Sequence, residues 1–220
     1  MQPAFLQQRL YPTLQLGFKP TVTHSKYDVS VHVRQSDLDS ACGLHAATMA
    51  LILMGKITHA RSLPKRRRGV AARLWQAAQE TYFDGIDEIG LADMLEALNA
   101  NLQINHYEGT HKKTLEFTKA ELEHGGVVIL SWQTKDRQTH HWVLALGVEG
   151  MLSGRTFTPT ALLVMDPGLS EPLMCGYNAR LQLTSRPIPG SVRYISYVSN
   201  DGTSLPVMLT GGVAIRNASK

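Results

Sequence analysis

Cysteine is nearly absent from this chain: of its 220 residues only Cys42 and Cys175 carry thiols. Two thiols do not make the disulfide framework that holds small secreted domains together, so a reduced state is expected. The nine histidines are scattered, with no H-x-x-x-H or C-x-x-C spacing to supply a structural zinc site. No metal and no other cofactor is expected. Long hydrophobic runs are missing too. The longest, Ala46 to Met54 with Thr48 inside it, falls far short of the roughly 20 residues that span a bilayer, so no transmembrane segment is expected. Residues Met1 to Leu10 lack a charged stretch followed by an apolar one, which argues against a cleaved export signal. A cytoplasmic location is the expectation, with signal-free secretion left open. Negative charge is in deficit, and the net charge of +4 is concentrated: Arg61, Lys65, Arg66, Arg67, Arg68 and Arg73 fall within thirteen residues. Such a run can meet an acidic partner, a phosphate or an anionic surface. No aromatic interleaving or nucleic-acid motif accompanies it, so the plainer expectation is a solvated loop leading into a helix.

A chain of this size with 43% hydrophobic residues can build one full core. Residues 1 to 27 hold turn formers and little periodicity and read as an N-terminal arm, and residues 28 to 220 read as a single domain. Val29, Val31 and Val33 alternate with Ser30, His32 and Arg34, the pattern of a short half-buried strand. A helix then starts near Asp39 or Ser40, either of which can cap it, and runs to Gly55. It is apolar nearly all round, which predicts a central, buried helix. Further helices are expected from Val70 to about Tyr82, from Gly90 to Asn99 and from Leu115 to His124, with a strand at Leu102, Ile104 and His106. Beyond Gly125 and Gly126, the segments Val127 to Trp132, His141 to Val148, Ala161 to Met165, Val192 to Val198 and Val213 to Ile215 read as strands. Helices in the first half and strands in the second predict an α+β fold, with helices packed on one side of an antiparallel sheet.

The chemistry-bearing stretch is Gln35-Ser36-Asp37-Leu38-Asp39-Ser40-Ala41-Cys42-Gly43-Leu44-His45, a polar turn that ends in a cysteine where the apolar helix begins. A thiol at a helix N-terminus lies near unpaired backbone N–H groups and the positive end of the macrodipole, which favours the nucleophilic thiolate. Gln35 offers a side-chain amide to the same place. His140-His141-Trp142 opens a hydrophobic strand and offers a base; Met165-Asp166-Pro167-Gly168 offers a carboxylate at the end of another, although Asp-Pro-Gly is also an ordinary turn. Adjacent strand residues face opposite ways, so only one of the two histidines can meet Cys42, and spacing alone does not choose. The period of two places His141, Val143 and Ala145 on one face, where small side chains leave room for the helix carrying Cys42, and His140, Trp142 and Leu144 on the other. Cys175 has no base candidate on a neighbouring element. Asp37 and Asp39 read as turn and cap residues, and His45 as an ordinary helix residue.

Gln35, the run Asp39 to Leu44, His141-Trp142-Val143 and Asp166-Pro167-Gly168 occur in an order that resembles the papain-like cysteine peptidases, and among them the compact double-glycine leader peptidases that process bacteriocins. The local signature around the cysteine differs from that of plant papains, and Glu149 to Thr160 widens the gap between His141 and Asp166 as a hairpin insertion. The resemblance implies a papain-like fold whose N-terminal helical half, with the cysteine on its central helix, packs on a C-terminal antiparallel sheet. By position it implies Cys42 as nucleophile, His141 rather than His140 as base, Asp166 as the acid that orients the ring, and Gln35 with the Cys42 N–H as oxyanion hole. A peptide or protein substrate and no cofactor are implied. The expected activity is thiol-dependent hydrolysis of a peptide or other amide. The alternatives are acyl transfer to an amine, a catalytically silent binding module, and a nucleic-acid-binding protein that works through Arg61 to Arg73.

Overall fold

A computed structural model describes residues 4–37, 39–183 and 194–218. Leu38 and residues 192 and 193, where the expected strand Val192 to Val198 begins, lie outside the described residues. Strand β1 (Ala4–Leu10) is followed by a hairpin of β2 (Thr21–His24) and β3 (Tyr27–Ser30). Helix α1 (Cys42–Leu53), a 3-10 turn (Ala60–Lys65), α2 (Val70–Thr81), α3 (Glu88–Ala97), β4 (Leu102–Glu108) and α4 (His111–Glu123) come next. The remaining strands are β5 (Val127–Thr134), β6 (His140–Ser153), β7 (Thr156–Met165), β8 (Ala179–Gln182), β9 (Ile195–Ser199) and β10 (Ser204–Asn217).

The strands pair antiparallel in the order β6, β5, β10, β9, β8, β7, and β7 pairs back with β6, which closes a six-stranded barrel. Strand β1 extends the far half of β6, and β4 extends the far half of β10. This closure corrects the expected papain-like α+β arrangement of a helical half laid on one side of a C-terminal sheet. The fold is mostly sheet, with four α-helices among the described residues, and strands from the N-terminal half join the same sheet.

The physical reason is burial on both faces. A sheet covered on one side alternates buried and exposed residues, yet β5 from Val127 to Trp132 and β6 from Trp142 to Gly150 are buried without a break. Two apolar clusters share these residues between them. Val128, Leu130, Trp132, Val143, Ala145 and Tyr197 belong to the barrel interior, where α4 adds Leu115 and Phe117; Ile129, Trp142, Leu144, Val213 and Ile215 face outward into the cluster built around α1. Bulges between Ala145 and Gly147 and between Leu209 and Gly211 bend the two longest strands as the sheet rolls up. At Gly147, β1 passes so close that a Cβ would lie 2.5 Å from the Arg9 carbonyl oxygen.

The four helices overlap the stretches read as helical, but α1 begins at Cys42 with Ala41 in the N-cap position, not with Asp39 or Ser40 there. Helix α1 is buried from Ala46 to Leu53, as its all-round apolarity implies. Strand β1 lies within the stretch read as a loosely packed arm; most of it is exposed, so no apolar alternation announces it. In the basic run, Lys65 to Arg68 are exposed, whereas the Arg73 guanidinium donates to the Leu98 carbonyl at 2.8 and 2.6 Å and closes the end of α3. No helix among the described residues is long and apolar enough to cross a membrane.

Candidate active site

Strand β6 delivers two histidines to opposite faces. His141 lies opposite Trp132 and shares the interior face with Val143, while His140 shares the outer face with Trp142. Helix α1 docks on that outer face through Gly43, where a Cβ would stand 3.2 Å from Trp142 Cδ1 and 2.9 Å from Ile86 Cγ2. The expectation that α1 lies over Val143 and Ala145 is therefore corrected: it covers the Trp142 and Leu144 face. His141 meets Cys42 nonetheless, because both residues stand at the ends of their elements, where the first turn of α1 adjoins the start of β6.

His141 Nε2 is 2.7 Å from Asp166 Oδ1, and the Cys42 thiol is the ring's other polar neighbour. With Nε2 held by the carboxylate, Nδ1 is the nitrogen left for the thiol. Burial disfavours the imidazolium, but the hydrogen bond and charge of Asp166, with the Cys42 sulfur beside the ring, outweigh it and raise the His141 pKa to about 10. Burial likewise works against an ionised Asp166, yet its pKa is lowered, because it accepts from His141, from Tyr197 Oη at 2.5 Å and from the Gly168 N–H at 2.7 Å. Burial and the adjacent carboxylate hold the Tyr197 hydroxyl protonated well above its ordinary pKa.

The backbone of Asp166 is clamped as firmly as its side chain. Asn178 Oδ1 accepts its N–H at 2.6 Å, Asn178 Nδ2 donates to its carbonyl at 2.8 Å, and His32 Nε2 donates to that carbonyl at 3.1 Å. Trp132 packs edge-on against the His141 ring and also touches Tyr197, each at 5.2 Å between centroids. Trp132, Asn178 and Tyr197 are the supporting residues that motif and spacing do not reveal. Cross-strand pairing brings Trp132 and Tyr197 to the triad, Asn178 reaches it from the bend before β8, and no short-range signal marks them.

Gln35 joins the site through its surroundings. Its N–H donates to the Pro167 carbonyl at 2.8 Å, beside Asp166, and its side-chain amide donates to the Asp39 carbonyl at 2.8 Å, in the turn before Cys42. One amide hydrogen is used there and a second is left. Asp39 organises that turn, with Oδ2 accepting the Ser36 N–H at 3.0 Å and Oδ1 accepting the Ala41 N–H at 3.0 Å. Burial works against an ionised Asp39, but these donors outweigh it and lower its pKa. His45 lies 3.6 Å from Asp39 Oδ1, and its own burial lowers its pKa. The N–H groups of the first turn of α1, that of Cys42 included, have no acceptor within the helix.

No family model matches the chain, and no curated protein matches it.

The site is thus defined by its own geometry. Cys42, His141 and Asp166 are brought together, and Gln35 is tied to the segments on both sides of them. His140 is exposed, with Nε2 3.2 Å from Thr210 Oγ1 in the β10 bulge. Cys175 is half-buried beside Tyr177, and neither cysteine is bridged. Among the described residues no three His, Cys, Asp or Glu side chains are grouped to hold a metal ion.

Proposed function

We propose that this chain is a thiol-dependent amide hydrolase, with the chemistry of the papain-like cysteine peptidases carried on the closed barrel described above. The observation that supports it most is the His141 ring held between a buried carboxylate at 2.7 Å and the first-turn thiol of α1. A raised His141 pKa favours the imidazolium that a reactive thiolate needs beside it.

The Cys42 thiolate attacks the substrate carbonyl carbon, a C–S bond forms, and the carbonyl electrons move onto oxygen. The Cys42 N–H and the second amide hydrogen of Gln35 receive that oxyanion. Collapse breaks the C–N bond as the His141 proton passes to the leaving amine, and an acyl thioester remains. Neutral His141 then takes a proton from water, whose oxygen adds to the thioester carbon. The C–S bond breaks, and thiolate and imidazolium are restored. Asp166 keeps the ring oriented and its charge balanced throughout, and Tyr197 and the Gly168 N–H keep that carboxylate ionised. An amine in place of water would give acyl transfer through the same intermediate.

Cys42→Ser and Cys175→Ser variants, assayed on a mixed library of fluorogenic peptide amides, test the proposal. Hydrolysis is expected to vanish in the first and persist in the second. Turnover that survives Cys42→Ser contradicts it.

A further inference from the structure

A cavity of about 690 Å3 lies beside the segment that carries the triad's acid. Lys19, His32, Arg34, His59, Arg61 and Glu171 line it, over an apolar floor that includes Val29 and Ile52. Known ligand pockets span roughly 300–1,000 Å3, so the space suits a small organic molecule rather than a lone ion. Its charge is unbalanced. Glu171, the carboxylate in the wall, is already bound by Lys19 and by the Ser30 hydroxyl. No ion pair among the described residues engages the guanidinium of Arg34 or of Arg61. Two arginines that line one cavity and have no carboxylate partner among the described residues supply planar donor forks of the kind that grip phosphoryl oxygens in pairs. The exposed cations Lys65 to Arg68 follow a few residues beyond Arg61 in the sequence.

We propose that this cavity binds a phosphorylated small molecule, with its phosphoryl group held by Arg34 and Arg61 and its body over the apolar floor. The site is separate from Cys42 and goes beyond the hydrolase reading, on which it does not depend. It is nevertheless close to the triad. His32 forms part of the cavity wall and donates to the Asp166 carbonyl, and Arg34 directly precedes Gln35. A ligand there would touch the backbone that holds both the acid and the oxyanion-hole amide.

Calorimetric titration of the full chain with inorganic pyrophosphate, at fixed ionic strength, is the test, with succinate as a dicarboxylate comparison. Saturable one-site binding of pyrophosphate, tighter than that of succinate, is expected. The Arg34→Gln/Arg61→Gln variant should weaken it at least about tenfold, since loss of one charge-assisted hydrogen bond to phosphate already weakens binding by about that factor. Neutralising Arg66, Arg67 and Arg68 should change it less than about twofold, because exposed charges act through a screened field. Thermal melting establishes that each variant is folded. In the wild-type protein the ring NMR signals of His32 and His59 should move on adding pyrophosphate. No saturable binding, tighter binding of succinate, equal weakening by the Arg66 to Arg68 variant, or unmoved histidine signals would each overturn the proposal. None of these readouts uses turnover, so failure of the hydrolase reading and failure of this one are told apart.

Discussion

Gly43→Ala perturbs the docking of the helix start that carries Cys42 without touching any of the proposed reacting groups. A methyl at this position would stand 2.9 Å from Ile86 Cγ2 and 3.2 Å from Trp142 Cδ1. Carbon atoms pack best at about 3.5–4.0 Å, so relief requires a shift of roughly 0.6 Å or more. Trp142 cannot swing away freely, because its indole N–H donates to the Ile86 carbonyl at 3.1 Å and the residue is buried. The strain therefore moves the first turn of α1, with Cys42, away from β6, or moves Trp142, the neighbour of His141. Overpacking costs about 1–3 kcal/mol, and the better helix propensity of alanine offsets up to about 1. The net expectation is about 0–2 kcal/mol of destabilisation, each kcal/mol lowering Tm by roughly 2–4 °C for a chain of this size. The effect on turnover should be larger in relative terms. A misplacement near 1 Å costs about a hundredfold, so a loss of about ten- to a hundredfold is expected in a protein that is still folded. Thermal melting, turnover and the alkylation rate of Cys42 measured on the same samples separate the two effects. Wild-type turnover and melting in Gly43→Ala would refute the close contact of α1 with Trp142 and Ile86.

Two further predictions concern the oxyanion hole and pH. Gln35→Ala should leave the fold and the reactive thiol intact but lower turnover by roughly 10² to 10³, the usual effect of removing one oxyanion-hole donor; a change of only a few-fold would make Gln35 a bystander. For pH, a His141 pKa near 10 places the alkaline limb of kcat/KM near pH 10, where the imidazolium is lost. The stability contribution has the same sign. It is complete below the unfolded histidine value of about 6.5 and disappears as pH rises through the folded value. The lowered Asp166 pKa contributes above the unfolded carboxylate value of about 3.9, and that contribution is lost as pH falls through the folded one. An alkaline limb near the ordinary histidine value would show that Asp166 and Cys42 do not together favour the imidazolium of His141.

The helices were legible because each carries a 3.6-residue pattern or is apolar all round, as α1 is. Strands β5 and β6 were legible as apolar runs, whereas the closure of the sheet around them depends on pairings far apart in the sequence. Apolar residues on both faces of Val127 to Trp132 and Trp142 to Gly150 require cover on both sides, which the closed barrel supplies. Strand β8 has four residues, and β1 is an exposed edge, so neither has a periodic signature. The place of Cys42 at a helix start was visible in the polar turn before an apolar helix, although the cap itself was not: Asp39 accepts the Ala41 N–H from outside the helix. Buried Ser131 and Glu88 and half-buried Thr210 form a hydrogen-bonded group on the outer face near His140, which depends on the β10 bulge and leaves no local trace.

Whether Cys42 and His141 act as one unit is tested most directly by alkylation kinetics. Iodoacetamide labelling near neutral pH, mapped to each cysteine by mass spectrometry, should be followed in the wild-type, His141→Ala and His140→Ala proteins. Cys42 beside an imidazolium should react much faster than the half-buried Cys175, should slow markedly in His141→Ala, and should keep most of its rate in His140→Ala. Equal rates for the two cysteines in the folded wild-type protein, or a Cys42 rate untouched by His141→Ala, would contradict the pairing and with it the hydrolase.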